Sequence, residues 1–391
     1  MFKINSKAAL LLGTTLSLSL MFSGCQTNNN SSSKLGDLTT SSNADAKYSV
    51  VCTIFPEYDW VREILGDYSD KFDLTLLLNN GTDLHSYQPS AEDIMKISSC
   101  DLFVYVGGES DAWVEDALSE AVNKDMKVIN LMDVLGDDTK EEETVEGMQH
   151  EHEHDHADEA DHDDADHEDS ETHDHTDDAD HEDAEDADHE DSETHEDADH
   201  EAADEHDHED AELEYDEHVW LSIKDTEIFV EEISNALMEI DTENKDNFKA
   251  NEEAYISKLQ ELDSKYEEAV SSSENKTLLF ADRFPFRYMV DDYDLDYYAA
   301  FSGCSAETEA SFETITFLAE KVNELGLTSV IILENSEDKI ANTIIENTES
   351  KSQEILTLDS LQSTTSEEIE GGKTYLSAME GNLEVIEKAL S

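Results

Sequence analysis

The sequence predicts an α/β protein of two lobes, each with a parallel β-sheet flanked by helices, joined by one long linking helix. Three observations predict this fold. Short apolar segments alternate with helical segments from residue 48 to 130, the alternation resumes from 277 to 390, and a stretch without Gly or Pro at 244–272 separates the two series. Such alternation is typical of parallel sheets covered by helices on both faces.

The first lobe begins with buried strands, which apolar and β-branched residues indicate. A helix at 58–65 ends before Gly66, and another at 90–98 has Ser90 as its N-cap with Asp93 three residues later. The predicted strands are 48–55, 72–78, 101–106 and 127–130, and a third helix covers 112–123.

Two helices follow, and the second lobe comes after them. The segment 225–240 is amphipathic, and the long helix carries one apolar stripe at helical spacing, formed by Phe248, Tyr255, Leu259, Leu262 and Tyr266. The second lobe is then predicted to have strands at 277–281, 297–301, 329–333 and 354–358 and helices at 286–292, 309–325, 340–348 and 374–390.

The N-terminus is predicted to be a lipoprotein signal peptide at 1–24. Lys3 and Lys7 precede an apolar run at 8–22, and FSGC ends at Cys25. Small residues before a cysteine resemble a bacterial lipobox, so we expect Cys25 to carry the lipid; a plain signal peptide with an incidental cysteine is the alternative. The further boundaries are a flexible tether at 25–46, the N-terminal lobe at 48–241, the linking helix at 242–274 and the C-terminal lobe at 275–391.

Charge and histidine are concentrated in one segment, 137–214, which is predicted to be a disordered insertion in the first lobe. The formal net charge of −77 excludes ordinary binding to nucleic acid. Residues 137–217 hold 43 acidic residues against one lysine, 14 of the 16 histidines lie between 150 and 208, and DADHEDSETH occurs twice. This composition cannot repay the entropy of ordering.

The histidines of this tract predict metal capture, because imidazole binds Zn, Cu and Ni while the carboxylates attract cations. The alternative is a solvated acidic spacer. The metal-collecting residues named for the tract are His150, His152, His154, His156, His173, His175, His206 and His208.

The two remaining histidines are candidate ligands of a fixed site. His85 lies in GTDLHSYQPS at the carboxyl end of the second strand, where ligands of such sheets bind. His218 lies in DEHVWLS, where an apolar anchor follows it directly. Neutral imidazole is a good ligand for a borderline metal.

The chain resembles the zinc and manganese solute-binding lipoproteins of bacterial ABC transporters over roughly residues 48–391. The matching motifs are TIFP at 53–56, the DLHSYQP loop at 83–89, DLFVYVGG with Glu109 and Trp113, and DEHVWLS at 216–222. The linking helix also matches, at ENKDNFKANEEAYISKLQELDSKY.

The resemblance implies a metal site in a cleft between the lobes, with His85 and His218 as two ligands. The third family ligand, a His, aligns with Arg283, and a guanidinium has no lone pair for a cation. Asp282 beside it is a candidate, and Glu334 matches the fourth ligand, with Asp338 as its alternative. A histidine from the tract is a further candidate to complete the site.

The expected function is that of an extracytoplasmic receptor, not an enzyme, which captures Zn²⁺ and delivers it to a membrane permease driven by a cytoplasmic ATPase. We expect a monomer anchored to the cell membrane by its lipid. The alternatives are a Mn²⁺ or Fe²⁺ receptor of the same type and a surface metal buffer or adhesin. A zinc enzyme is a further alternative, but outside the histidine tract the sequence lacks the HExxH motif of zinc proteases. Cys52 and Cys100 are either a disulfide or two buried free thiols.

Overall fold

Two four-stranded parallel sheets organise the computed structural model, which describes residues 46–149, 214–305 and 309–391. The strand orders are β2-β1-β3-β4 and β6-β5-β7-β8. In each sheet, the strand that comes first in the sequence therefore lies between the second and the third. All eight predicted strands are present, which confirms the fold class. Their bounds are β1 Tyr48–Cys52, β2 Phe72–Leu76, β3 Leu102–Tyr105, β4 Lys127–Asn130, β5 Thr277–Phe284, β6 Asp296–Ser302, β7 Ser329–Leu333 and β8 Glu354–Leu358.

Helices flank both sheets. They are α1 Phe55–Leu65, α2 Ala91–Ser99, α3 Trp113–Ser119, α4 Leu131–Leu135, α5 Ile223–Ile240, α6 Lys245–Ser272, α7 Arg287–Tyr293, α8 Phe312–Leu325, α9 Lys339–Asn347, α10 Ser366–Glu370 and α11 Tyr375–Ala389. The sequence pattern did not predict the two five-residue helices α4 and α10. Within the described ranges, no helix has the length and apolar character that crossing a bilayer requires.

The helix α1 begins earlier than predicted, and the predicted strand 48–55 ends at Cys52. Pro56 lies in the first turn of α1, where its fixed φ suits a helix and its missing N–H is not needed. The carboxylate of Glu57 accepts hydrogen bonds from the backbone N–H groups of Thr53 and Ile54 at 2.8 and 3.2 Å. These bonds turn the chain from strand into helix.

The long helix α6 packs against elements of both halves of the chain. Its 28 residues give a length of roughly 42 Å. All five residues of the predicted apolar stripe are buried. The helix contacts α1 and α5, which precede it in the sequence, and α7 and α11, which follow it. It is the predicted linking helix.

The described residues at the start of the predicted acidic insertion, 137–149, make contacts with the rest of the protein. Glu141 forms an antiparallel bridge with Tyr215, Met148 is 5% exposed, and the backbone N–H of Gln149 donates to the Ala300 carbonyl at 2.9 Å. The predicted start of the disordered insertion at residue 137 is therefore too early, because apolar groups and backbone pairing hold this segment. The tract histidines lie outside the described residues, as do the predicted signal peptide, Cys25 and the predicted tether up to residue 45.

The described cysteines are free thiols. Cys52 and Cys100 are buried, and the Cys100 thiol lies 3.4 Å from the sulfur of Met126. Of the two alternatives for this pair, the structure therefore has the unpaired one. Burial raises the pKa of Cys100 to about 12, so this thiol stays protonated at neutral pH.

Asp59 ties α1 to the last helix. Its carboxylate accepts a hydrogen bond from the backbone N–H of Tyr375 at 2.7 Å, at the start of α11, and pairs with Arg62. The side chain of Asp59 is fully buried. Burial raises the pKa of Asp59 to about 6, although Arg62 opposes the rise.

Replacing Asp59 with asparagine tests this buried carboxyl. The folded chain holds the Asp59 proton up to about pH 6, whereas the unfolded chain releases it near the ordinary value of 3.8. Stability from this group is therefore present at low pH and lost as pH rises through 6. The free energy of unfolding of the native chain, relative to that of Asp59→Asn, should fall by roughly 2 kcal/mol between pH 4 and 7.

Urea denaturation at a series of pH values measures this difference, with Asp67→Asn at an exposed position as the control for removing one charge. A difference between the native chain and Asp59→Asn that does not change with pH would contradict the assignment.

Candidate metal centre

Three ligand-type side chains meet beyond the carboxyl ends of the strands. His85 follows β2, His218 directly precedes a 3₁₀ turn at Val219–Leu221, and Cys304 follows β6. One ligand atom of each lies within 4.8 Å of the others. The Nε2 atoms of the two histidines are 3.1 Å apart. The structure thus unites the two predicted histidines, and it adds a cysteine from the second lobe.

His218 is rigidly held. Its Nδ1 lies 2.9 Å from Oδ1 of Asp216, which also accepts the backbone N–H of His218 at 2.8 Å. The side chain is 0% exposed, and the three residues after it are equally buried. Among them, Trp220 donates its indole N–H to the Ser360 carbonyl at 2.9 Å. The carboxylate places the imidazole proton on Nδ1, and Nε2 is left to bind a ligand.

His85 is held from the opposite side of the site. It lies in the 3₁₀ turn Leu84–Ser86, and Asp83 accepts its backbone N–H at 3.0 Å. Its Nδ1 is 2.8 Å from the Ser110 hydroxyl and 3.5 Å from Oε2 of Glu217. These oxygens favour the proton on Nδ1, as Asp216 does for His218.

A cation between the two Nε2 atoms would remove the repulsion between their lone pairs. If one Nε2 carries its proton, the 3.1 Å between the two Nε2 atoms is an N–H···N hydrogen bond; with both protons on Nδ1, two lone pairs are available at this spacing. Two imidazoles bound to one tetrahedral zinc have their nitrogens about 3.3 Å apart, which is close to this spacing. Burial, and then the proximity of His218, lowers the pKa of His85 to about 4, so its imidazole is neutral near pH 7.

Glu217 reaches His85 because residue 108 is glycine. Gly108 has φ +79°, and a Cβ there would lie 2.3 Å from Oε1 of Glu217. That oxygen accepts the backbone N–H of Ser110 at 2.8 Å, whereas Oε2 is buried and accepts no hydrogen bond from the part of the chain that the structure describes. Burial raises the pKa of Glu217. The sequence pattern did not single out Glu217, because its role depends on contacts with distant residues.

Gly303 allows the end of β6 to approach His218. A Cβ at residue 303 would lie 2.8 Å from the Phe284 carbonyl and 3.1 Å from Cε1 of His218. The next residue, Cys304, is half-buried and donates its backbone N–H to Glu142 at 3.1 Å. Burial and then Asp216 raise the pKa of the Cys304 thiol, while a hydrogen bond from the Glu217 backbone N–H opposes the rise.

The other predicted ligands are engaged elsewhere. Asp282 accepts the backbone N–H groups of Arg283 and Leu333 at 2.9 and 3.1 Å, one on each oxygen. Glu334 accepts the backbone N–H and hydroxyl of Ser360 at 2.7 and 2.6 Å, and burial raises its pKa. As metal ligands they stay predictions, which this arrangement does not favour. Neither belongs to the three-residue cluster among the described residues.

Arg283 pairs across the two lobes. Its guanidinium donates to Oδ2 of Asp83 at 2.9 Å, rather than pairing with its neighbour Asp282. The side-chain amide of Gln362 lies beside both groups, with one terminal atom 2.7 Å from the same Asp83 oxygen and the other 2.5 Å from Nε2 of His218. Sequence reasoning missed Gln362, since the loop after β8 gives no signal for it.

An open cavity of about 270 Å³ leads to the site. It is lined by His85, Glu109, Ser110, Glu142, Glu214, Tyr215, Glu217 and Cys304. Four of these eight residues are glutamates, so the approach to the imidazoles favours cations.

The chain matches a known protein family over most of its length. A model of the family described as zinc-uptake complex component A periplasmic matches residues 50–389. The zinc-binding protein AdcA of Streptococcus pyogenes serotype M3 is 28% identical over 343 residues, which cover 88% of this chain and 56% of that protein. The chain thus spans little more than half the length of that relative.

Two further similarities cover almost all of the compared protein. The high-affinity zinc uptake system protein ZnuA of Bacillus subtilis is 26% identical over 358 residues, covering 91% of this chain and 92% of that protein. The crystal structure of the Zn(II)-bound ZnuA-like domain of Streptococcus pneumoniae AdcA aligns with a TM-score of 0.59 and 26% identity, covering 88% of this chain and 99% of that domain.

A Gly303→Ala substitution tests the packing of the β6 end against His218. The added Cβ would push Cys304 and the Phe284 carbonyl away from the imidazole. We expect a destabilisation of roughly 1–3 kcal/mol and binding of Co²⁺ weakened by tenfold or more. Gly381→Ala is the matched control, since a Cβ there meets nothing within 4 Å. Urea denaturation and metal titration measure both effects, and equal behaviour of the two variants would contradict the proposed contact.

Proposed function

The chain belongs to the zinc-uptake complex component A family, whose model spans residues 50–389, and on that premise we propose that it is the metal receptor of an ABC transporter. It captures Zn²⁺ outside the cytoplasm and delivers it to a membrane permease driven by a cytoplasmic ATPase. It acts as a monomer by binding and release, without chemistry on the metal. The proposal rests on one observation: the Nε2 atoms of His85 and His218 are 3.1 Å apart, and the Nδ1 atom of each ring lies within hydrogen-bond distance of an oxygen.

The donor set supports zinc over manganese. Imidazole nitrogen and sulfur suit a borderline metal such as Zn²⁺, whereas Mn²⁺ prefers carboxylates and water. Asp282 and Glu334, the oxygen donors that would favour manganese, are engaged by backbone and serine groups. The names of the two relatives, zinc-binding protein AdcA and zinc uptake system protein ZnuA, agree with this preference.

The N-terminal segment and the histidine tract have roles in the proposed function. Cys25 is the lipid anchor, and the tether at 25–46 gives the receptor reach above the membrane. The tract between residues 150 and 208, with 14 histidines among carboxylates, holds metal loosely near the cleft. Ordering a loose chain on each capture costs free energy, so the tract binds more weakly than the fixed site.

A His85→Ala substitution should weaken the tight site by at least tenfold, because one of two imidazole ligands is lost. Competition for Zn²⁺ with a chelating dye, strong enough to exclude the weaker sites, measures the affinity. His208→Ala is the control, since it removes one histidine of the tract. An unchanged zinc affinity in His85→Ala would remove His85 from the ligand set.

Deleting residues 150–213 and joining the ends with a short Gly/Ser linker separates the tract from the fixed site. The deletion spares residues 141–149, which pair with Tyr215 and Ala300. Calorimetric titration with Zn²⁺ should show one tight site retained and several weaker sites lost. An unchanged number of bound metals would show that the tract is only a spacer.

A further inference from the structure

We propose that Cys304 binds the metal as a thiolate, in place of the second-lobe imidazole whose position Arg283 occupies. This inference rests on the proposed function and concerns the same site. It makes the ligand set two imidazoles from His85 and His218 and one sulfur from the second lobe.

The geometry of the three ligand atoms carries the proposal. The Cys304 sulfur lies within 4.8 Å of a nitrogen of each histidine. In a tetrahedral zinc site, bond lengths of about 2.3 Å to sulfur and 2.05 Å to nitrogen put these atoms about 3.6 Å apart. An approach of roughly 1 Å by the β6 end therefore closes the site around the ion.

The alternatives in the second lobe are weaker. Arg283 has no lone pair to offer and is held by Asp83 at 2.9 Å. Both carboxylate oxygens of Asp282 accept backbone N–H groups. Among the described residues, Cys304 is the one second-lobe side chain that joins both histidines in a metal-type cluster. Gly303 makes this approach possible, since a Cβ at that position would lie 2.8 Å from the Phe284 carbonyl and press on His218 at 3.1 Å.

A second observation at the same place points to a cation. Glu217 is 3% exposed and lines the cavity together with His85 and Cys304; among the described residues its Oε2 accepts no hydrogen bond, and Nδ1 of His85 lies 3.5 Å from it. A buried carboxylate oxygen without a donor is costly unless a positive charge compensates it. Zinc held by the two imidazoles and the sulfur supplies that charge.

Binding to sulfur requires the thiol to lose its proton. Zn²⁺ and the Cys304 thiol give a zinc–sulfur bond and one proton, which leaves to solvent through the acidic cavity. No electron is transferred. Because thiolate is a soft ligand, it favours Zn²⁺ over Mn²⁺, and Cys304 then contributes to selectivity as well as to affinity.

Cobalt(II) tests the proposal directly. Thiolate bound to cobalt gives an intense near-ultraviolet charge-transfer band, which nitrogen and oxygen ligands do not. The tract contains no cysteine, so metal bound there does not contribute. The full chain, carrying Cys25→Ala in every sample, should show this band with one equivalent of Co²⁺ under reducing conditions. The matched control Cys100→Ala, which removes a buried thiol, should show it equally.

Cys304→Ser should abolish the band and weaken zinc binding by at least tenfold, with a smaller ratio of Zn²⁺ to Mn²⁺ affinity. Cobalt bound without the band in the Cys25→Ala chain, or a band that persists in Cys304→Ser, would overturn the proposal. His85→Ala separates the two levels of inference. If it weakens zinc binding while Cys304→Ser does not, only the cysteine assignment fails. If neither variant weakens zinc binding, the proposed site itself fails.

Discussion

The architecture of the site depends on one constraint: the buried imidazole of His218 and the partly buried imidazole of His85 must hold their Nε2 atoms 3.1 Å apart. Asp216 and Glu217 are consecutive, and each serves a different histidine, the first at 2.9 Å and the second at 3.5 Å. Gly108 admits Glu217, and Gly303 admits the end of β6. These contacts hold the two imidazoles at a spacing that suits two ligands of one zinc ion.

Contacts between the two lobes fix the relative position of the two sides of the site. The helix α6 packs on helices of both lobes, and Asp59 accepts the first backbone N–H of α11 at 2.7 Å. Beside the site, Arg283 and Asp83 link the lobes, and Trp220 bonds to the loop after β8. The net charge of −77 acts at longer range, since it draws cations and repels anionic partners. The proposed capture of a metal rests on two histidines of the first lobe, which hydrogen bonds hold in place, and on Cys304 of the second lobe.

Much of the fold could be predicted from sequence, because apolar segments of strand length and a stripe at helical spacing report burial directly. His85 and His218 were also accessible, since each stands in a motif at a strand end or beside an apolar anchor. Cys304, Glu217 and Gln362 were not, because their roles arise from contacts between residues far apart in the chain. Asp282 and Glu334 have suitable chemistry and position in the sequence, but the nearby N–H and hydroxyl donors that engage them became visible only in three dimensions.

A crystal structure of the chain with one equivalent of Zn²⁺, with anomalous scattering recorded at the zinc edge, would locate the metal. We expect one strong peak about 2.0–2.1 Å from Nε2 of both His85 and His218, and about 2.3 Å from the Cys304 sulfur. A zinc peak elsewhere, with the two imidazoles unliganded, would contradict it.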